Sequence, residues 1–150
     1  GLSGLMTAVV LAKVPGIEVN LIAHKGIKSA DKRTTAVSDT NYKFINQNIT
    51  SLGQKLFWPS QKIDLFYETS KENINFLNLS EAKSNLMYVF ENDKIKSVLL
   101  KEISKNKIKL FRKDLKNLDK LKNYDLIILC LGGQSKIYNN ITKIRSIKKN

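Results

Sequence analysis

Cysteine, histidine and tryptophan each occur once in the 150 residues, and proline only twice. The lone Cys130 has no partner for an internal disulfide. It lies in the apolar run Leu126–Leu131, where a small buried hydrophobe is the expected role rather than a reactive thiol. One histidine and one cysteine leave no ligand set for zinc or haem, so no metal site is expected. No stretch approaches the roughly 18 apolar residues of a membrane span. The first apolar stretch, Leu5–Val14, follows glycines and no basic segment, so a signal peptide is not expected. Scarce cysteine suits a reducing compartment, and a cytoplasmic location is the expectation.

Arginine is scarce as well. The net charge of +13 is almost wholly lysine, with arginine only at positions 33, 112 and 145. Apart from the tail Lys143–Lys149 the lysines are scattered, and no aromatic-plus-basic stretch offers bases a stacking platform. A solvated basic surface follows, with weak attraction to anionic membranes as a side effect. No specific nucleic-acid partner is expected.

What remains is ordinary for a globular protein: 42% hydrophobic and 26% charged residues, enough for one domain with a core. Gly1-Leu2-Ser3-Gly4 leads into a helical run, Leu5–Lys13, which Pro15-Gly16 ends. Ile17–Ala23 then reads as a short β-branched strand. A glycine turn, a helix and a strand form the second half of a βαβ unit. The strand that would precede the helix is missing, which would leave a neighbouring strand edge unpaired. Residues 24–41 read as polar and irregular, and Asn41–Leu52 as a helix stopped by Gly53. Trp58-Pro59 marks a loop. Ile63–Glu68, Asn75–Leu79 and Leu86–Phe90 read as strands of an inserted sheet layer. Asp93–Lys105 is a helix with Ile95, Val98, Leu99 and Ile103 on one face. Lys107–Phe111 is a short strand, and Leu115–Leu121 a loop or brief helix. Tyr124–Leu131 gives the strongest strand signal, a continuous apolar run like a parallel strand buried on both faces.

Gly1-x-x-Gly4 in this setting suggests the later part of a dinucleotide fingerprint. One glycine lets the backbone approach a pyrophosphate and the next lets the helix pack close to a strand. The amides at the start of the Ser3–Lys13 helix would then face the phosphates, where the helix dipole favours negative charge. Gly1, Leu2, Ser3 and Gly4 are therefore candidate cofactor contacts. The fingerprint also expects an acid at the end of the following strand to hold a ribose hydroxyl. That place reads Ala23-His24, and His24 is the candidate for the ribose contact.

Asp31-x-Arg33-Thr34-Thr35-Ala36-Val37-Ser38 resembles the D-x-R-T-T-A-L-S segment of the ubiquinone-biosynthesis hydroxylases. These are FAD-dependent monooxygenases of the p-hydroxybenzoate hydroxylase fold. Leu86–Asn92, followed by Ile95 and Leu99, is similar to that family's L-G-Y-V-V-E-N-x-x-L-x-x-x-L. Asp125–Ile128 through Gly132-Gly133-Gln134-Ser135 resembles its strand and D-G-x-x-S turn, with Leu131 where the family carries aspartate.

The resemblance implies an α/β fold: a Rossmann-like, FAD-binding parallel sheet with an inserted, mostly antiparallel β layer, truncated. Residues 1–58 would be the FAD-binding βα portion, 59–91 part of the substrate-side sheet, and 92–150 the return to the FAD domain. It places Arg33, Thr34 and Thr35 beside the flavin and Gly132 near its diphosphate. Asn92 is a flavin-side contact or a helix cap, with capping the default.

The implied activity is hydroxylation of an aromatic ring in a polyprenyl phenol on the route to ubiquinone. FAD would carry the chemistry, with NAD(P)H or another reductant as electron source. No residue is assigned a catalytic role, and this length of chain alone is expected to be inactive. Peripheral association with the inner membrane, or with a biosynthetic complex, would suit such a substrate. Two alternatives stand beside this: a non-catalytic nucleotide-binding or assembly module, which Ala23 and Leu131 favour, and a basic nucleic-acid-binding protein.

Overall fold

A computed structural model describes residues 1–24, 31–70, 72–115, 118–132 and 137. In chain order its main elements are α1 (Leu2–Ala12), β1 (Asn20–Ala23), β2 (Thr34–Ser38), α2 (Asp39–Phe44), β3 (Trp58–Ser60), β4 (Lys62–Glu68), β5 (Asn73–Ser80), β6 (Met87–Glu91), α3 (Asn92–Lys105) and β7 (Lys109–Arg112). The architecture is mixed α/β, with one small parallel pair and two antiparallel sheets. The chain divides into two compact units, Gly1–Lys28 with Ile103–Asn150, and Ser29–Glu102.

In the first unit α1 is apolar along its whole length and buries Leu5, Ala8 and Val9 at helical spacing. Pro15-Gly16 ends it as expected, with Gly16 at a φ of +81°. β1 pairs with β7 in parallel, in the register Asn20 with Lys109 through Ala23 with Arg112. Tyr124–Leu131 does not form the strand that its composition suggests. It joins no ladder among the described residues, and Leu126 and Ile128 stay 72% and 48% exposed. An apolar run encodes a wish for burial, whereas a ladder also needs a neighbouring backbone to accept its hydrogen bonds.

The second unit is built on β6, the middle strand of the order β2-β6-β3, antiparallel to both neighbours. Two segments read as irregular from sequence are strands here. Thr34–Ser38 pairs along its length with β6, and Trp58–Ser60 pairs on the other side. Pro59 is tolerated because β3 is an edge strand, where a missing N–H costs no ladder bond. Phe90, 1% exposed, packs edge-on to Phe57 at 5.2 Å, and Tyr42 stacks on Tyr88 at 3.8 Å. The expected helix Asn41–Leu52 arrives in two parts. α2 begins at Ser38, whose hydroxyl accepts from the Asn41 amide at 3.3 Å. A π turn, Ile45–Ile49, then buries Ile45 and Ile49. Asn46 secures its exit, accepting from the Leu52 amide at 2.8 Å.

β4 and β5 form a separate two-stranded hairpin, the pairing expected from sequence. Leu65 opposes Leu77, Ile63 opposes Leu79 and Tyr67 opposes Ile74. Opposed residues share a face and alternate residues of a strand share it too, so these six side chains form one apolar face. Five of the six are 40% exposed or more.

The end of α3 carries a testable strain. The Ile108 amide donates to the Ile103 carbonyl and the Lys107 amide to the Ser104 carbonyl, both at 3.1 Å. This pair of bonds is a Schellman motif, whose left-handed position normally holds glycine. Here it holds Lys107, at a φ of +54°. Replacing Lys107 with glycine relieves the contact between Cβ and backbone and should stabilise the protein by about 0.5–1 kcal/mol. Urea denaturation checks it: a midpoint that falls would contradict the assignment of strain.

Candidate functional site

The reversal at Pro15-Gly16 sets which elements share an end of the first unit. β1 runs back along α1, so the amino end of α1 and the carboxyl end of β1 lie at one end of the unit. β7 is parallel to β1 and ends there too. Open α/β sheets bind ligands in the crevice at the carboxyl ends of their strands. Gly1, Leu2, Ser3 and Gly4 form the amino end of α1, which has no side-chain cap. Among the described residues no side chain accepts from its first amides, the groups a helix start leaves without an intrahelical partner. A Cβ added to Gly4 would meet the Cβ of Cys130 at 3.2 Å. Glycine thus allows α1 to lie close against the segment that holds Cys130. Gly132, two residues on, has a φ of +73°.

Ala23 ends β1 beside Arg112, and its carbonyl accepts from the Lys113 amide at 3.0 Å. His24 follows, with its Nε2 3.3 Å from Asp114 Oδ1. No carboxylate stands at position 23, where a ribose-binding acid was sought. A shallow cleft of about 380 Å³ lies at the opposite end, lined by residues 12, 16–19 and 106–109. Its charged pair, Glu18 and Lys109, is closed on itself at 2.8 Å.

The second unit contains a polar network centred on Asp31. Arg33 clamps the Asp31 carboxylate with two hydrogen bonds, from Nε at 2.7 Å and Nη2 at 2.8 Å. The Arg33 amide donates to the same carboxylate at 3.2 Å. Asn92 Nδ2 donates to Asp31 Oδ2 at 3.2 Å, and Thr35 Oγ1 donates to Asn92 Oδ1 at 2.6 Å. The Asn92 amide also donates to the Arg33 carbonyl at 3.0 Å. Asn92 is buried, at 7% exposure, and a buried amide must find partners. Its side chain serves β2 and Asp31 rather than the cap that was the default assignment. The Arg33 bonds, with the Asn92 bond second, hold the Asp31 carboxyl far below the usual carboxylate range. The Arg33 side chain itself is 81% exposed. Thr34 is exposed on β2 opposite Glu91.

No family model matches this chain, and no curated protein matches it.

Of the residues singled out from sequence, Arg33, Thr35 and Asn92 come together, with Asp31 as their hub. In the sequence Asp31 is part of the motif and is not a predicted contact. Its signal was the i, i+2 spacing to Arg33, which lets a short carboxylate meet a guanidinium. Gly1–Gly4, Ala23, His24 and Gly132 belong to the first unit. Arg112 and Lys113, at the carboxyl end of β7, were not foreseen, because a strand end becomes meaningful only once its neighbour is known. Among the described residues no group of three or more His, Cys, Asp or Glu could hold a metal ion.

The Asp31 clamp has a pH signature. The carboxyl titrates far below its ordinary value of 3.8 when folded, so its contribution is fully present above that value. It is lost as pH falls below about 4 and through the strongly acid range. Asp31→Asn should therefore be less stable than the natural protein at neutral pH, with the difference shrinking below pH 4. Chemical denaturation across pH 2–7 measures this; a difference that is constant with pH would show that the clamp carries no linked proton.

Proposed function

We propose that this chain provides the flavin-binding portion of an FAD-dependent aromatic hydroxylase that acts on a polyprenyl phenol. The observation that carries the proposal is the Asp31–Asn92 hydrogen bond with its neighbours at Arg33 and Thr35. It joins the two segments whose sequences most resemble that family, 61 positions apart. A Rossmann-like arrangement of the first unit, with the FAD diphosphate at the amino end of α1, belongs to the same proposal.

The residues present suit the group. The first amides of α1 are donors for a diphosphate. Among the described residues, no atom beyond its chain neighbour lies within 4 Å of where a Gly1 Cβ would stand. Arg33 keeps an outward guanidinium edge for an electron-rich ring or phosphate while Asp31 fixes its direction. FAD, when bound, supplies oxygen activation and takes its electrons from NAD(P)H or another reductant. The protein's part is to bind, orient and exclude water. No described helix is long and apolar enough to cross a membrane, and peripheral membrane or complex association goes with the proposed substrate.

The absence of a carboxylate at Ala23 and the Leu131 substitution favour a second reading, a nucleotide-binding or assembly module without catalysis. Reduction of bound flavin by NAD(P)H, followed by its reoxidation by oxygen, separates the two, since a module binds without turning over.

Arg33→Ala should weaken FAD binding about tenfold or more, the loss of one charge-assisted contact. Lys32→Ala, next to it, should change binding less than about twofold. Quenching of flavin fluorescence gives both constants. Equal effects in the two variants, or no flavin binding by the natural chain, would overturn the proposal.

A further inference from the structure

The hairpin β4–β5 has two unlike faces. Ile63, Leu65 and Tyr67 stand opposite Leu79, Leu77 and Ile74, and these side chains share one face. The paired residues of the other face are polar or charged except Phe66. On the apolar face Tyr67 is 63% exposed, and Leu65, Leu77, Leu79 and Ile74 are 40–45% exposed. At that exposure they leave on the order of 400 Å² of largely apolar surface. A standard interface buries about 800 Å² on each partner, about 60% of it apolar. The face therefore supplies most of the apolar area that one side of such an interface needs. A two-stranded ribbon is marginal in water by itself, so covering this face stabilises the hairpin as well.

Charge decides what covers it. The protein carries +13, but Ser29–Glu102 holds ten basic and nine acidic residues and is nearly neutral. Anionic membranes draw in segments rich in lysine and arginine. The hairpin is not one: between Lys62 and Ser80 it has two lysines against Asp64, Glu68 and Glu72. Two copies of a nearly neutral unit do not repel each other. The few charges are also polarised along the ribbon. The turn end, with Glu68, Lys71 and Glu72, sums to −1, and the open end, with Lys62, Glu81 and Lys83, to +1. A two-fold axis through the face, with the ribbons antiparallel, sets each turn end beside the open end of the other copy. Unlike charges then meet at both rims, and the surface is complementary to itself, as an isologous interface must be.

We propose that the apolar face of β4–β5 is a homodimer interface, covered by the same face of a second copy of this chain. The cross-strand pair Leu65–Leu77 lies at its centre, and Phe66 points away from it. Two ribbons stacked face to face stand about 10 Å apart, the spacing at which the side chains of two sheets interdigitate. The stability of the hairpin then depends on protein concentration, because only the dimer covers it. The proposal does not rest on flavin binding or on any activity of the chain.

Sedimentation velocity of the whole chain over a range of concentrations tests this. A dimer that dissociates on dilution is expected. Leu65→Lys sets an unpaired charge at the centre of the face and should weaken association about 100-fold or more. Phe66→Lys, next to it on the other face, should change association less than about threefold. Circular dichroism of each variant shows whether the fold is kept. Hydrogen exchange of the natural chain gives a second measurement that needs no variant: the amides of β4 and β5 should exchange more slowly as concentration rises. A monomer at every concentration overturns the proposal, as does a dimer that survives Leu65→Lys or is lost equally in Phe66→Lys. Flotation with phosphatidylcholine–phosphatidylglycerol vesicles is expected to leave the chain unbound. Vesicle binding by a monomer, abolished by Leu65→Lys, would give the face to a membrane and overturn the proposal.

Discussion

The second unit depends on one buried amide. Asn92 stands where β6 passes into α3, and its side chain is enclosed. It has a donor and an acceptor to satisfy, and burying either without a partner would cost more than the bond itself gains. Thr35 meets one need and Asp31 the other. The Asn92 amide meanwhile holds the Arg33 carbonyl. The start of β2 is thus fixed against the end of β6, in the register that puts Thr35 opposite Phe90. A slip by one residue would turn Thr35 and Val37 outward and strand the Asn92 amide. Arg33 inherits its position from this arrangement. Its direction follows from Asp31, and Asp31 is held by Asn92.

The first unit depends on a different constraint. Two parallel strands cannot be joined by a tight turn, and the chain between β1 and β7 must make a crossover. That crossover contains the whole of Ser29–Glu102. An entire unit has been inserted between two neighbouring strands, and the strands' carboxyl ends remain defined by α1 and by each other. Such an arrangement lets the inserted unit vary without moving the first amides of α1, the Ala23–Arg112 pair or Gly132. Loops at strand ends carry function for the same reason: the sheet fixes their starting points.

Much of the secondary structure could be read from the sequence where a local rule governed it. Pro15-Gly16 ends α1 because proline lacks an amide and glycine tolerates a positive φ. Ile95, Leu99 and Ile103 are buried because their spacing puts them on one helix face. The hairpin β4–β5 was legible from alternation. Legibility stopped where the deciding partner is distant. Thr34–Ser38 looked irregular because its polar residues face outward, and only β6 makes it a strand. Trp58-Pro59 looked like a loop because proline is excluded from central strands, and nothing local says that this one is an edge. The candidate contacts divide in the same way. Arg33 and Asn92 were visible as motif residues; that Asp31 joins them depends on a bond across 61 positions. Residues 133–136, which include Ser135, lie outside the described residues.

The hairpin and the segment Tyr124–Leu131 show two outcomes of the same physical demand. Both are rich in apolar side chains, and both leave many of them exposed. In the hairpin every apolar residue of the shared face has an opposite number, so cross-strand pairs shelter one another in part. A two-stranded ribbon covers only one edge of each strand, and a ribbon alone is marginal in water. Tyr124–Leu131 lacks even that, since no described backbone lies beside it in a ladder. Gly4 lies close to it, and the missing side chain there admits Cys130. Hydrophobic content therefore explains why both segments seek cover, but only pairing explains why one is a strand and the other is not. The difference is set by backbone hydrogen bonds, which hydrophobicity does not encode.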